Sequence, residues 1–149
     1  MSTSRILGIV GGILLCVAAF TPLRTTWDMS NYFMAVNDFL IVDQGGWMLV
    51  AAGVLAIAAA LIGRPTGIFL SSLFSTAVAA FIAGSVRASY IQLTTFGNEA
   101  TKTTGKLMTA SWGWLFVIGG VALVTAAAIL TNVRQNRALT LQTAQQPGD

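Results

Sequence analysis

Four long uncharged stretches alternate with charge-bearing segments along the chain. Ile6 to Phe20, Trp47 to Ile62, Ile68 to Val86 and Trp112 to Thr131 contain no Asp, Glu, Lys or Arg. A helix rises 1.5 Å per residue, so roughly 20 apolar residues cross a ~30 Å hydrocarbon core. With their flanks, these blocks predict transmembrane helices over about residues 6–23, 45–62, 67–87 and 111–131. The second block borrows Gly45 and Gly46 to reach spanning length. Between the second and third, Gly63-Arg64-Pro65-Thr66-Gly67 cannot continue a helix, because Pro65 lacks an N–H and restricts the residue before it. The pair reads as a helical hairpin with one cation at its tip.

The first block has a second reading. Arg5 followed by an apolar run and Val17-Ala18-Ala19 has the form of a signal peptide, whose cleavage would leave Phe20 first. As a helix the block continues to Leu23, and this is the preferred reading. Gly8 and Gly12 then form a small-xxx-small pair that admits close helix approach.

Residues 24–44 form a long and apolar first loop with Asp28, Asp38 and Asp43. Met29, Phe33, Val36 and Leu40 recur at helical spacing, with Asp28 or Ser30 as N-cap. Phe39 to Val42 instead reads as a short strand. In the other outer segment, Ala88 to Phe96 extends the third helix, and Gly97-Asn98-Glu99 with the Thr-rich stretch after it reads as a turn. Asn98 is not a glycosylation acceptor, since Ala100 follows Glu99. Residues 132–149 read as a polar tail, disordered from residue 143.

Small residues recur in rows on the spans. Ala52, Ala56 and Ala60 line one face of the second; Ser72, Thr76, Ala80 and Gly84, with Ser71, Ser75, Ala79 and Ala83 beside them, line the third. Gly119-Gly120 is a close-contact point on the fourth. In lipid there is little hydrophobic drive between helices, so close backbone approach and hydroxyl hydrogen bonds carry more of the association. Ser71, Ser72, Ser75, Thr76, Ala80 and Gly84 are therefore expected to pack helices or bind a partner. The alternative is a polar pathway along Ser71 to Thr76.

Composition agrees: 55% of the residues are hydrophobic and 9% charged, against about 25% charged in a soluble domain. The formal charge is +3, but the basic residues never cluster, which excludes a nucleic-acid stripe. Arg5, Arg64, Arg134 and Arg137 lie on the terminal side of a four-span arrangement, and Arg24, Arg87, Lys102 and Lys106 on the other. The count is tied. The terminal-side cations sit in short segments or at helix ends, where the positive-inside rule has most force, so both termini are expected in the cytoplasm. Trp27, Trp47, Trp112, Trp114, Tyr32 and Tyr90 all fall on the opposite side as interface anchors. An aromatic belt normally occupies both interfaces.

Candidate chemistry is sparse. There is no histidine, and Cys16 is the single cysteine, which removes most routes to a metal site or a catalytic triad. Cys16 reads as a small apolar side chain in mid-span. No span holds an ionisable residue in its interior, where a proton relay or membrane protease would need one. The loop acids do not follow the calcium-loop pattern. No enzyme activity, cofactor or metal is expected.

Four spans, a longer first outer loop and a tight hairpin resemble the tetraspan, claudin-like layout, although that family's loop signature of Trp followed by Gly-Leu-Trp-Cys-Cys is not matched beyond Trp27. The Ala-, Gly- and Thr-rich, histidine-free character is similar to that of small actinobacterial membrane proteins. That resemblance implies an accessory subunit of an envelope complex, such as a lipid importer of the mammalian-cell-entry type or a respiratory assembly. The expectation is thus an all-α membrane protein: a four-transmembrane-helix bundle with a short amphipathic helix or strand in its outer loops. Its expected partners are membrane lipids and other membrane-protein subunits. The functional alternative is a small oligomeric transporter or channel using the Ser/Thr face of the third helix.

Overall fold

The computed structural model describes residues 2–28, 34–39, 45–96 and 108–145. Its elements are α1 (Thr3–Ala18), β1 (Pro22–Asp28), β2 (Met34–Phe39), α2 (Gly46–Ile62), α3 (Pro65–Ile91), β3 (Met108–Ala110) and α4 (Gly113–Gln145).

Each boundary has a local cause. α1 ends at Ala18, short of the expected Leu23. Pro22 forces the chain before it towards extended geometry, and the Thr21 hydroxyl donates to the Ala18 carbonyl at 2.8 Å. α2 stops at Gly63, whose φ of 73° is left-handed and whose N–H donates to the Ala59 carbonyl at 2.9 Å. α3 then starts at Pro65, where a missing N–H costs nothing because a first-turn N–H has no partner in the helix. It runs past Arg87 and ends in a π-helical turn over Gln92–Phe96.

Two sequence expectations are corrected here. The polar segment from residue 132 continues α4 to Gln145, so residues 143–145 are helical, while 146–149 lie outside the described residues. This stretch holds no Gly or Pro before Pro147, and extending a helix is far cheaper than starting one. The helical spacing of Met29, Phe33, Val36 and Leu40 also does not become a helix at Val36. β1 pairs antiparallel with β2, in a register that sets Thr26 opposite Val36 and Asp28 opposite Met34. β3 joins the other edge of β1, with Thr26 opposite Met108. Met29, Phe33 and residues 40–42 of the proposed Phe39–Val42 run lie outside the described residues.

The helices run alternately up and down in a ring. α1 packs on α2 and α4, and α3 packs on the same two. Leu15, Leu49, Val117 and Val124 form the centre of the core with Ala18, Ala52 and Ala56. Ile68, Ala127 and Ala128 form a second cluster towards the hairpin tip.

The outward faces are as apolar as the core. Ile6, Val10, Ile13 and Val17 are exposed along α1, Phe69, Leu70, Leu73 and Phe81 along α3, and Leu115 and Ile118 on α4 are 73% and 63% exposed. A water-soluble bundle places polar residues there. Two helices are long and apolar enough to cross a membrane: α3 with its π turn (32 residues) and Gly113–Thr140 of α4 (28 residues). Only 33% of the most apolar window of each is buried, which is unlike the core helix of a soluble protein. α1 and α2 are apolar but hold 16 and 17 residues, about 24–26 Å. Of the four spans expected, two therefore meet the length criterion.

Candidate functional site

The glycines of α1 sit where backbones touch. A Cβ on Gly12 would lie 2.7 Å from the Gly53 carbonyl oxygen, and one on Gly53 would strike the Gly12 carbonyl in return. Gly11 and Gly120 form a second reciprocal pair, at 2.9 and 3.0 Å from each other's carbonyl oxygens. A Cβ on Gly8 would fall 2.9 Å from the Ala60 Cβ. Gly119, one residue round from the contact line, meets only Leu14 at 3.7 Å. Gly8, Gly12 and Gly120 thus pack against helices of their own chain. Cys16 lies in the same α1–α2 seam, its Sγ 3.8 Å from the Val50 carbonyl oxygen. Gly11 and Gly53 belong to these seams although sequence reasoning did not single them out. Gly46, Gly53 and Ala60, spaced by seven and all buried, are the signal that would have found the second.

The hydroxyl rows of α3 divide between the bundle and the outside. Ser71, Ser72 and Ser75 are buried, whereas Thr76, Ala80 and Gly84 are exposed. The Ser71 and Ser75 hydroxyls donate to the Ile68 and Ser71 carbonyls at 2.9 and 2.8 Å, and Thr76 donates to Ser72 at 2.9 Å. Only Ser72 reaches across, to Thr125 Oγ1 of α4 at 3.2 Å. Thr125 is a third residue that sequence reasoning missed. Above this bond the row opens outwards, and a Cβ on Gly84 would meet nothing within 4 Å.

The described tryptophans and Tyr90 gather at the sheet end. Trp47 and Trp112, at the starts of α2 and α4, and Tyr90, near the end of α3, are exposed. The Trp112 ring meets Phe116 edge-on, with centroids 5.5 Å apart and 71° between planes. Trp114 is half-buried against the core. Trp27 lies in β1, its side chain outside the description, and Tyr32 lies outside the described residues.

Arginine marks the opposite end. The Arg5 guanidinium lies over Gly63, so that a Cβ there would collide with it. A cation in this position favours the negative end of the α2 dipole. Gly8 faces both Ala60 and Ala127, which sets Arg5, Gly63 and Thr131 at one level. Arg134 and Arg137 follow about one and two helical turns beyond. The described acids, Asp28 and Asp38, are in β1 and β2 at the other end.

Comparison with protein-family models, with curated proteins and with solved structures returns no match.

Proposed function

We propose that the protein is a non-catalytic accessory subunit of a larger plasma-membrane complex, with all four helices in the bilayer and both termini cytoplasmic. An envelope lipid importer or a respiratory assembly is the kind of complex meant. The exposed Val, Ile, Leu and Phe side chains on all four helices support immersion in lipid. α1 and α2 fall about 5 Å short of a typical core, a mismatch that local thinning absorbs at fractions of a kcal/mol per Å. The arginines at the hairpin tip and beyond Thr131 support the cytoplasmic side for that end.

The open row on α3 carries the reading. Gly8, Gly11, Gly12, Gly53 and Gly120 meet another helix of this chain; at Thr76, Ala80 and Gly84 the small residues face outwards, leaving room for a helix that this chain does not supply. The buried serines are hydrogen-bonded to their own helix or to Thr125, which supports packing over conduction as their role.

Purification of the full chain in mild detergent after cross-linking tests the proposal. A defined membrane-protein partner is expected with the wild type and is expected to be lost with Gly84→Leu, while the variant itself stays monodisperse. Recovery of the wild type as a lone monodisperse monomer would overturn it.

A further inference from the structure

We propose that the arginine end is a binding surface for anionic phospholipid headgroups. The inference rests on the reading that the helices lie in a bilayer, and it adds the chemistry of the lipid they meet there. Arg5 and Arg64 stand near the ends of the exposed apolar runs of α1, α2 and α3, while α4 carries exposed Val133 and Leu139 beyond them. Arg134 and Arg137 project from α4 about 5 and 9 Å further on, both exposed. Four arginines thus fall within about 9 Å of height at this end, and no carboxylate among the described residues lies there.

Their roles differ. Arg5 is held over Gly63, where it serves the end of α2. Arg134 and Arg137 have no such engagement with the fold. Val133, Asn136, Arg137 and Thr140 share one open face of α4. That face is largely apolar and carries the Arg137 guanidinium and the Asn136 amide, while the Thr140 hydroxyl donates to the Asn136 carbonyl at 3.0 Å. Guanidinium groups bind phosphate oxygens through paired N–H donors, and the apolar surface beside Arg137 suits the acyl part of a glycerophospholipid. Among the described side chains, the opposite end carries a single cation, Arg87, which lies about 35 Å from Arg64 along α3.

The test is native mass spectrometry of the full chain in neutral detergent with equimolar phosphatidylglycerol and phosphatidylcholine of matched acyl chains. Wild type is expected to retain phosphatidylglycerol preferentially. Arg134→Gln and Arg137→Gln should each lower the ratio about fivefold, and Arg87→Gln should leave it unchanged. Unchanged melting temperatures identify the variants as folded. Equal retention of the two lipids by the wild type overturns the proposal, as does an equal loss with Arg87→Gln. Complete displacement by excess inorganic phosphate overturns the lipid as the source of the phosphate. An alkaline carbonate wash of membranes separates the two readings. A chain that washes out refutes bilayer insertion itself; a chain that stays but shows no lipid preference refutes only the headgroup site.

Discussion

Gly12 on α1 and Gly84 on α3 each belong to a row of small residues, yet their surroundings are opposite. A methyl on Gly12 would press on the Gly53 carbonyl and on Ile57, whereas one on Gly84 would meet nothing within 4 Å. α1 sits between α2 and α4, antiparallel to both, and each of its glycine faces is closed by a neighbour. α3 packs on the same two helices through Ser71, Ser72, Ser75, Val78 and Ile82, then runs on past Ile82 with mostly exposed positions. A small-residue row therefore records that a backbone can come close. It does not record whose backbone does.

The comparison breaks most sharply at Gly12. Gly12→Leu forces apart two backbones already in contact, and a loss of about 3 kcal/mol, the upper end of overpacking, is expected. It should appear as a lower unfolding temperature in detergent and as material in the void volume on gel filtration. An unperturbed variant would show that the α1–α2 seam is not close-packed.

Gly63→Ala comes next. Its left-handed φ costs an L-residue about 1–2 kcal/mol, in addition to displacing Arg5. Thermal unfolding should show this loss, and Gly67→Ala serves as the control, since a Cβ there would make an ordinary contact with Ala59 at 3.7 Å.

The α3–α4 bond is a smaller effect. A double-mutant cycle of Ser72→Ala and Thr125→Val should give a coupling of about 0.6 kcal/mol, typical of hydroxyl bonds between membrane helices. Zero coupling would place the association of these helices on packing alone.

Gly84→Leu should change the stability of the isolated chain least, by under about 0.5 kcal/mol, as its side chain enters open space. A large loss in the purified monomer would mean that the row is closed within the chain after all, and the contrast with Gly12 would disappear.

The helices were legible because their signal is one-dimensional. Uncharged runs bounded by Arg64-Pro65 or by polar segments announce themselves, as does the break that Pro65 imposes on the hairpin. Their lengths were less so. α1 ends early because of a local contest at Thr21 and Pro22, and α4 runs on because nothing before Pro147 stops it. The sheet was the least legible part. β1 and β3 are about eighty residues apart in sequence and meet only because α1 and α4 are neighbours, bringing the ends of both helices to one place. Helical spacing between residues 29 and 40 gave no warning of this pairing.

What the sequence determined by itself was the apolar character of the four helices, the hairpin tip and the one-sided placement of tryptophan and tyrosine. Each depends on side-chain identity over a local run, and hydrophobic burial and backbone propensity act at that range. What only the tertiary structure decided was which rows of small residues are already occupied. That depends on the ring order of the helices and on their relative rotation about their own axes. Both are set by many weak contacts acting together, with Gly12 against Gly53 and Gly11 against Gly120 among them. The same arrangement turned Ser72 inwards to Thr125 and left Gly84 facing outwards.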